Sequence, residues 1–357
     1  MKKKVFVGIS GGVDSAVCAY LLTQQGFDVT GVFLKNWSGE DFGISDNCPW
    51  KEDLESAKGV CEFLNIPLKV YNFEKEYREL VIEDFFYQYS IGNTPNPDVL
   101  CNKHIKFDKF LEKAISEGAD YIATGHYSKT ENGLLFKAKD RNKDQTYFLH
   151  QLTYNQLSKS IFPLAELEKK EIREIAKSVG IPNFARKDSQ GICFVGKVDI
   201  QEFLSQQLRE KEGNIIDDDT GKIIGKHNGV WYYTIGQRKG LSIGGSPLPY
   251  FINRKDVKEN IIYAVQGKDN PKLYSNTVYL CDLHIINPKL SINEIVNLNS
   301  LTATIRYRSI DTKCKLSIEN DLIKVVFDEK KWAPAIGQSI VIFNNKECIG
   351  GGRIYKL

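Results

Sequence analysis

Most markers of a secreted, membrane-spanning or zinc-bound protein are missing from this chain of 357 residues. It has only 5 histidines, at no metal-ligand spacing, which argues against a structural zinc site. Its 8 cysteines (18, 48, 61, 101, 193, 281, 314 and 348) form no C-x-x-C pair. With no secretory leader evident, a disulfide framework is not expected either. The lysine-rich start Met1-Lys2-Lys3-Lys4 is followed by no h-region or cleavage site, and no apolar run is long enough to span a bilayer. A cytoplasmic protein without membrane partners is therefore expected. A net charge of +3 neither demands nor excludes nucleic acid, so any binding surface must come from local patches.

What is present is ordinary globular composition, 42% hydrophobic and 26% charged, at a length that implies two or three domains. Up to about residue 200 the pattern alternates. Strands are predicted at Val5–Ile9, Val29–Leu34, Leu68–Tyr71 and Tyr121–Ala123. Helices are predicted at Ala16–Gln25, Glu52–Leu64, Tyr77–Tyr89, Phe107–Glu117 and Lys169–Val179. Such alternation predicts an α/β fold with a doubly wound parallel sheet and ligands at the C-terminal strand ends. After Gly196 turn clusters separate short β-like runs, and Val230–Gly240 reads as a strand joined to a basic, glycine-flanked turn. From about 275 strands are predicted at Thr277–Leu280, Thr302–Tyr307, Leu322–Phe327 and Ser339–Phe343, consistent with a small C-terminal β-barrel. The expected division is 1–204, a small central domain at 205–272, and the barrel at 273–357. Most cysteines are expected to be core hydrophobes, Cys18 and Cys61 most clearly.

The feature that carries chemistry is Gly8-Ile9-Ser10-Gly11-Gly12-Val13-Asp14-Ser15, directly after the apolar run Val5-Phe6-Val7. Strand, glycine loop and helix in that order build a phosphate cradle, in which bare glycine amides and a helix N-terminus face the anion. Ser10 and Ser15 add hydroxyls. Asp14 would repel phosphate unless a divalent cation bridges them, which implies magnesium. The loop is not a Walker A motif, because no lysine follows at the required spacing. It resembles the PP-loop of ATP pyrophosphatases, which split ATP between the α and β phosphates.

Two cysteines stand in unusual settings. Cys101 lies in Asn96-Pro97-Asp98-Val99-Leu100-Cys101-Asn102, expected to be a proline-fixed loop close before a helix, with Lys103, His104 and Lys106 nearby. That setting should lower a thiol pKa. Cys193 lies in Gly191-Ile192-Cys193-Phe194-Val195-Gly196, where glycines on both sides predict a mobile loop. Burial as a small structural hydrophobe is the competing reading for each.

These segments together resemble the bacterial tRNA-specific 2-thiouridylase family. The likeness continues through Ala123-Thr124-Gly125-His126-Tyr127, Lys143-Asp144-Gln145, Tyr233–Arg238, Arg306-Tyr307-Arg308 and Gly350-Gly351, covering essentially the whole chain. The resemblance implies ATP as substrate, with AMP placed on the C2 oxygen of a wobble uridine and sulfur then delivered from a cysteine persulfide. It implies Cys193 as the persulfide carrier, Cys101 as the resolving thiol that forms a disulfide with it, and Asp98 as general acid/base. Asn96, Pro97 and Asp98 would face the target base. The nucleotide would lie on Gly8, Ile9, Ser10, Gly11, Gly12, Val13, Asp14 and Ser15, with the backbone of Leu34 (where the family often has methionine) and Gly125 at the adenosine. His126, Lys143, Asp144, Gln145, Arg306, Tyr307 and Gln338 would contact tRNA, a solvated surface being the alternative. Arg238-Lys239 carries the same ambiguity. Partners implied are tRNAs for glutamate, lysine and glutamine and a persulfide-donating sulfur-relay protein. Segments around Ser38–Pro49 and Gly191–Gly196 are expected to order with RNA.

Two other functions compete. An amidotransferase-type PP-loop ligase would need an ammonia source, and no such module is evident. A non-catalytic nucleotide-binding protein would leave Cys101 and Cys193 without a role. Within the thiolation reading, an iron–sulfur cluster held by Asp98, Cys101 and Cys193 is a second route, less favoured because it lacks a C-x-x-C pair.

Overall fold

A computed structural model describes residues 2–38, 50–187 and 199–357. Cys193, Cys48 and nearly all of both segments expected to order with RNA lie outside them.

The first sheet is built from short apolar strands whose two faces are both covered, as a parallel sheet requires. Strand β1 (Lys4–Gly8) pairs in parallel with β2 (Asp28–Lys35), which pairs with β3 (Leu68–Asn72). On its other side β1 pairs with β4 (Tyr121–Ala123), and Ser160–Ile161 completes the edge. Alternation along β1 divides the core. Val5, Val7 and Ile9 pack with helix α1 (Val13–Gln24), helix α2 (Trp50–Phe63) and the Lys169–Val179 helix. Phe6, with Val32 and Leu34 of β2, faces the opposite layer, which holds Cys101, Phe107 and Phe110. Cys18 and Cys61 are buried in the first layer as expected, and burial pushes both thiols up, Cys61 to about 11.

The predicted helices exist, but three differ in ways that matter. Helix α1 begins at Val13, because Gly12 adopts the extended N-cap conformation and ends the loop early. The Tyr77–Tyr89 prediction falls within a continuous helical run over 74–90, π-wound across Arg78–Ile82. The run predicted from Phe107 starts ten residues sooner, at Pro97. Pro97 was read as fixing a loop; it instead occupies the first helical turn, where its missing N–H costs nothing. Cys101 is therefore inside a helix rather than before one, at the start of a π-wound stretch, Cys101–Lys109.

The central sheet orders Tyr250–Asp256, Ile261–Gln266, Gly213–Asp217 and Ile223–His227. Val230–Tyr232, expected as strand, is a 3₁₀ turn, since Gly229 at φ +143° brings its backbone against the Trp231 ring. The C-terminal strands Tyr274–Ile285, Leu322–Trp332, Thr312–Glu319, Leu301–Thr304, Ser339–Asn344 and Glu347–Lys356 pair in that order, and the last closes on the first to make a barrel. Thr312–Glu319 and Glu347–Lys356 were not predicted. A hairpin, Lys129–Glu131 with Leu134–Phe136, leaves the first domain and extends the barrel sheet through Phe136 and Leu135 opposite Glu347 and Cys348. Its turn, Asn132-Gly133, has both residues at positive φ, which the Asn-Gly pair favours.

Candidate active site

The Gly8–Ser15 loop leaves the C-terminal end of β1 and enters α1 as the sequence predicts. Ser15 closes it from inside. Its Oγ donates to the Gly12 carbonyl at 3.0 Å and accepts from the Ser10 N–H at 3.1 Å. Ile9 and Val13 are buried beneath the loop. Leu34 sits at the C-terminal end of β2, two residues beyond Val32, whose carbonyl accepts from Ile9 N–H at 2.8 Å. Gly125 follows β4 and lies flat against the loop, so that a Cβ there would stand 2.8 Å from the Ser15 nitrogen.

Asp14 is occupied from within the protein. Its Oδ1 accepts from Lys169 Nζ at 2.7 Å and from the Tyr127 hydroxyl at 2.9 Å. Lys169 is the first residue of its helix, where a cation opposes the helix dipole. That misplacement is the sequence signal that could have found it. Part of the charge expected to call for magnesium is thus balanced by an ammonium. No group of three or more potential metal ligands exists among the described residues.

The other half of the site is the helix beginning at Pro97. Asn96 is its N-cap residue, Asp98 lies in the first turn, and Cys101 is completely buried in the large core. The barrel holds the segment leading into it. Thr94 N–H donates to the Ile336 carbonyl at 2.9 Å, and Gln338 Nε2 donates to the Thr94 carbonyl at 2.9 Å and more weakly to Pro95 at 3.3 Å. The Tyr147 hydroxyl donates to the Ser339 carbonyl at 3.0 Å and lies within reach of the Asn96 side chain. The Tyr307 ring packs 4.5 Å from Phe148, while Arg306 donates to the Ala333 carbonyl at 2.5 Å and stacks 5.1 Å from Trp332. Gln338 therefore holds the residues just before Asn96, and Tyr307 packs on Phe148 beside Tyr147, although both are more than two hundred residues away in sequence from Asn96.

The central domain reaches the same place. Thr94 and Thr234 hydroxyls meet at 3.3 Å, and Gly236, at φ +84°, packs against Ala333 and Trp332. This gives the Tyr233–Arg238 motif a physical role as the junction of all three parts, which its sequence alone did not reveal.

Three of the expected RNA-facing side chains are used inside the fold. Asp144 accepts from Ala138 N–H at 2.6 Å and Thr146 N–H at 3.1 Å; burial raises its pKa against these donors. Gln145 Oε1 accepts from Tyr127 N–H at 3.0 Å. His126 is buried, shares a 2.7 Å hydrogen bond with Thr124 and packs between the Phe107 and Phe162 rings. Burial, helped by the Lys106 charge, holds its pKa well below the usual value, so the ring is neutral. Lys143, like its two neighbours Asp144 and Gln145, is partly exposed.

Three other histidines are held by backbone carbonyls. His150 Nδ1 bonds the Tyr147 carbonyl at 2.8 Å, His284 bonds the Leu152 carbonyl at 2.8 Å, and His227 bonds the Asn260 carbonyl at 3.2 Å. Burial lowers the His150 pKa to about 4 despite its carbonyl bond. A depressed folded-state value contributes stability that is intact above about pH 6.5, the unfolded value, and is lost as pH falls towards 4. Thermal melts between pH 7 and 4 should show a fall of roughly 3 kcal/mol from this residue alone. His150→Asn should flatten part of that slope; an unchanged slope would overturn the assignment.

Comparison with known proteins agrees with this architecture. Residues 3–197 match the family described as tRNA methyl transferase HUP domain, 201–266 the tRNA methyl transferase PRC-barrel domain, and 273–354 the aminomethyltransferase beta-barrel domain. A protein of Nitrosomonas europaea named tRNA-specific 2-thiouridylase MnmA is 46% identical over 99% of this chain and 98% of its own length. One of the same name from Bacillus subtilis is 46% identical over 98% of this chain and 94% of its own. This chain belongs to the tRNA-specific 2-thiouridylase family. Among solved structures, the 4-thiouridine synthetase–RNA complex with bound ATP overlaps 57% of this chain and 50% of its own at 20% identity and a TM-score of 0.33, too low to carry any argument. Family membership accounts for the parallel sheet followed by a PRC-barrel domain and a closed β-barrel.

Proposed function

We propose that this chain is an ATP-dependent tRNA-uridine 2-sulfurtransferase acting on wobble uridine 34. The observation that supports it most is the pair Gly125-His126. Gly125 lies against the phosphate loop at Ser15, while the next ring, His126, packs 5.7 Å from Phe107 on the Cys101 helix. Adjacent residues thus touch both halves of the chemistry.

ATP binds with its phosphates on the Gly8–Ser15 amides and the N-terminus of α1, and its adenosine along Leu34 and Gly125. Asp14 would hold Mg²⁺, which would supply charge neutralisation for the leaving pyrophosphate. Lys169, already beside Asp14, adds a second positive charge at the same place. The uracil C2 oxygen, oriented by Asn96-Pro97-Asp98, attacks the α-phosphorus, and the bond to pyrophosphate breaks. The terminal sulfur of a Cys193 persulfide then attacks C2, and AMP leaves with the oxygen. Cys101 attacks the Cys193 sulfur, forming a disulfide and releasing 2-thiouridine. Asp98 moves the protons. A flipped-out base costs a few kcal/mol of lost stacking, which Lys143, Arg306 and Tyr307 offset through phosphate and stacking contacts. The persulfide itself comes from a sulfur-relay protein, and the setting is the cytoplasm.

The test is incubation with a glutamate tRNA transcript, ATP, Mg²⁺ and a persulfide donor (a cysteine desulfurase with cysteine), followed by nucleoside mass spectrometry. Wild type should give 2-thiouridine at the wobble position, and Cys193→Ser should give none. AMP without thiolated base in the wild type would sink the substrate assignment and leave only the nucleotide chemistry.

A further inference from the structure

Gly11 and Gly12 let amides approach an anion closely, but they leave the peptide between them poorly determined. With no Cβ on either side, that peptide can flip by rotating the Gly11 ψ and Gly12 φ with little steric penalty. Flipped, it would present the Gly11 carbonyl oxygen to the cradle and repel a phosphate.

The Gly11 carbonyl is held outward by three donors. Ser56 Oγ donates to it at 2.8 Å, Asn183 Nδ2 at 2.7 Å and Arg186 Nη1 at 3.0 Å. Arg186 is itself fixed by an ion pair from Nη2 to Asp53 at 2.5 Å. Ser56 and Asp53 come from α2, and Asn183 and Arg186 from the segment after the Lys169–Val179 helix. A carbonyl has two lone pairs, so three donors exceed what ordinary satisfaction of a loop requires. Gly11 stands at φ +78°, and a Cβ would lie 2.5 Å from the Asp53 carbonyl oxygen and 2.8 Å from Arg186 Nη1. In a trans peptide the N–H points opposite the C=O. Pinning the carbonyl outward therefore turns the Gly12 N–H inward. Its own contact there, to Ser10 Oγ at 3.4 Å, is long and readily exchanged for a phosphate oxygen.

We infer that Ser56, Asn183 and Arg186 are positioning residues that lock the Gly11–Gly12 peptide for the pyrophosphate portion of ATP, with Asp53 holding Arg186. Sequence reasoning identified the cradle but none of these four residues. The inference rests on the nucleotide reading of the loop.

The test is isothermal titration, in Mg²⁺ buffer, of α,β-methylene-ATP, inorganic pyrophosphate and adenosine into wild type, Ser56→Ala/Asn183→Ala and Arg186→Lys. The double variant keeps the Arg186–Asp53 pair, and its melting temperature is recorded beside it; if it does not fold, Ser56→Ala alone carries the comparison. Affinity for α,β-methylene-ATP and pyrophosphate should fall about tenfold in the double variant and less in Arg186→Lys, which retains a donor. Adenosine affinity should not change, and KM for ATP should rise more than kcat falls. An equal loss of adenosine binding, or unchanged pyrophosphate affinity in both variants, would overturn the clamp while leaving the nucleotide reading standing. Wild type that bound neither α,β-methylene-ATP nor pyrophosphate would overturn both.

Discussion

Gly125→Ala is expected to lower ATP-dependent AMP formation about a hundredfold without altering the secondary structure. The added Cβ would meet the Ser15 nitrogen at 2.8 Å, the Asp14 carbonyl carbon at 2.9 Å and its oxygen at 3.1 Å. All three are backbone atoms, so no side-chain rotation relieves the contact. Either the first turn of α1 moves away or the segment after β4 does. In the first case the Ser15 lock on Ser10 and Gly12 opens and the amides lose their aim. In the second, the backbone proposed to contact adenosine withdraws. Overpacking of this kind costs about 1–3 kcal/mol, which a folded domain tolerates, whereas a displaced reacting group is far less well tolerated. The check is AMP formation with saturating tRNA, alongside far-UV circular dichroism and a thermal melt. A KM for ATP within twofold of wild type, at unchanged kcat, would show that Gly125 does not border the nucleotide.

The nucleotide half of the site was legible because it is local. Strand, Ser-Gly-Gly-Val-Asp-Ser and helix occupy consecutive residues, and their order fixes their geometry whatever surrounds them. The family resemblance implies Leu34 and Gly125 at the adenosine, and the sheet order sets both beside the loop: β2 and β4 are the two strands that flank β1. What could not be read was anything decided by where an exposed-looking polar side chain turns. The resemblance implies RNA contacts at Asp144 and Gln145; within the fold both also accept backbone N–H groups. His126, implied by the resemblance as an RNA contact, is a neutral ring between two phenylalanines. Conversely, Arg186 looks like an ordinary loop charge and is anchored on the phosphate loop, as is Lys169, whose place at the start of its helix is its one sign in the sequence. Pro97 failed for a different reason. A proline close to another proline reads equally as loop or as helix start, and only the packing of Cys101, Ile105 and Phe107 decides between them.

The half proposed to face the target base depends on long-range contacts, and there Gly337→Ala should be the most damaging small substitution. Gly337 stands at φ +90°, where an alanine is strained. Its Cβ would also lie 2.9 Å from both the Thr94 nitrogen and the Asn93 Cβ. The neighbouring bonds define what would be lost: Thr94 N–H to the Ile336 carbonyl, and Gln338 to the Thr94 and Pro95 carbonyls. Those bonds set where the chain enters the helix at Pro97, and hence where Asn96 and Asp98 face. A shift of about 1 Å there should reduce 2-thiouridine formation about a hundredfold. ATP binding should persist, because the phosphate loop makes none of these contacts. Gln338→Ala removes two donors without adding an atom and should fall between wild type and Gly337→Ala, near tenfold. Measured well below the melting temperature, thiolation should therefore rank wild type, Gln338→Ala, Gly337→Ala, at constant affinity for α,β-methylene-ATP. Gly125→Ala inverts that pattern, losing the nucleotide while leaving the tRNA surface in place. Equal loss of nucleotide affinity in Gly337→Ala would mean that the two halves are one rigid unit, with the barrel acting on the whole first domain rather than on the loop before Pro97.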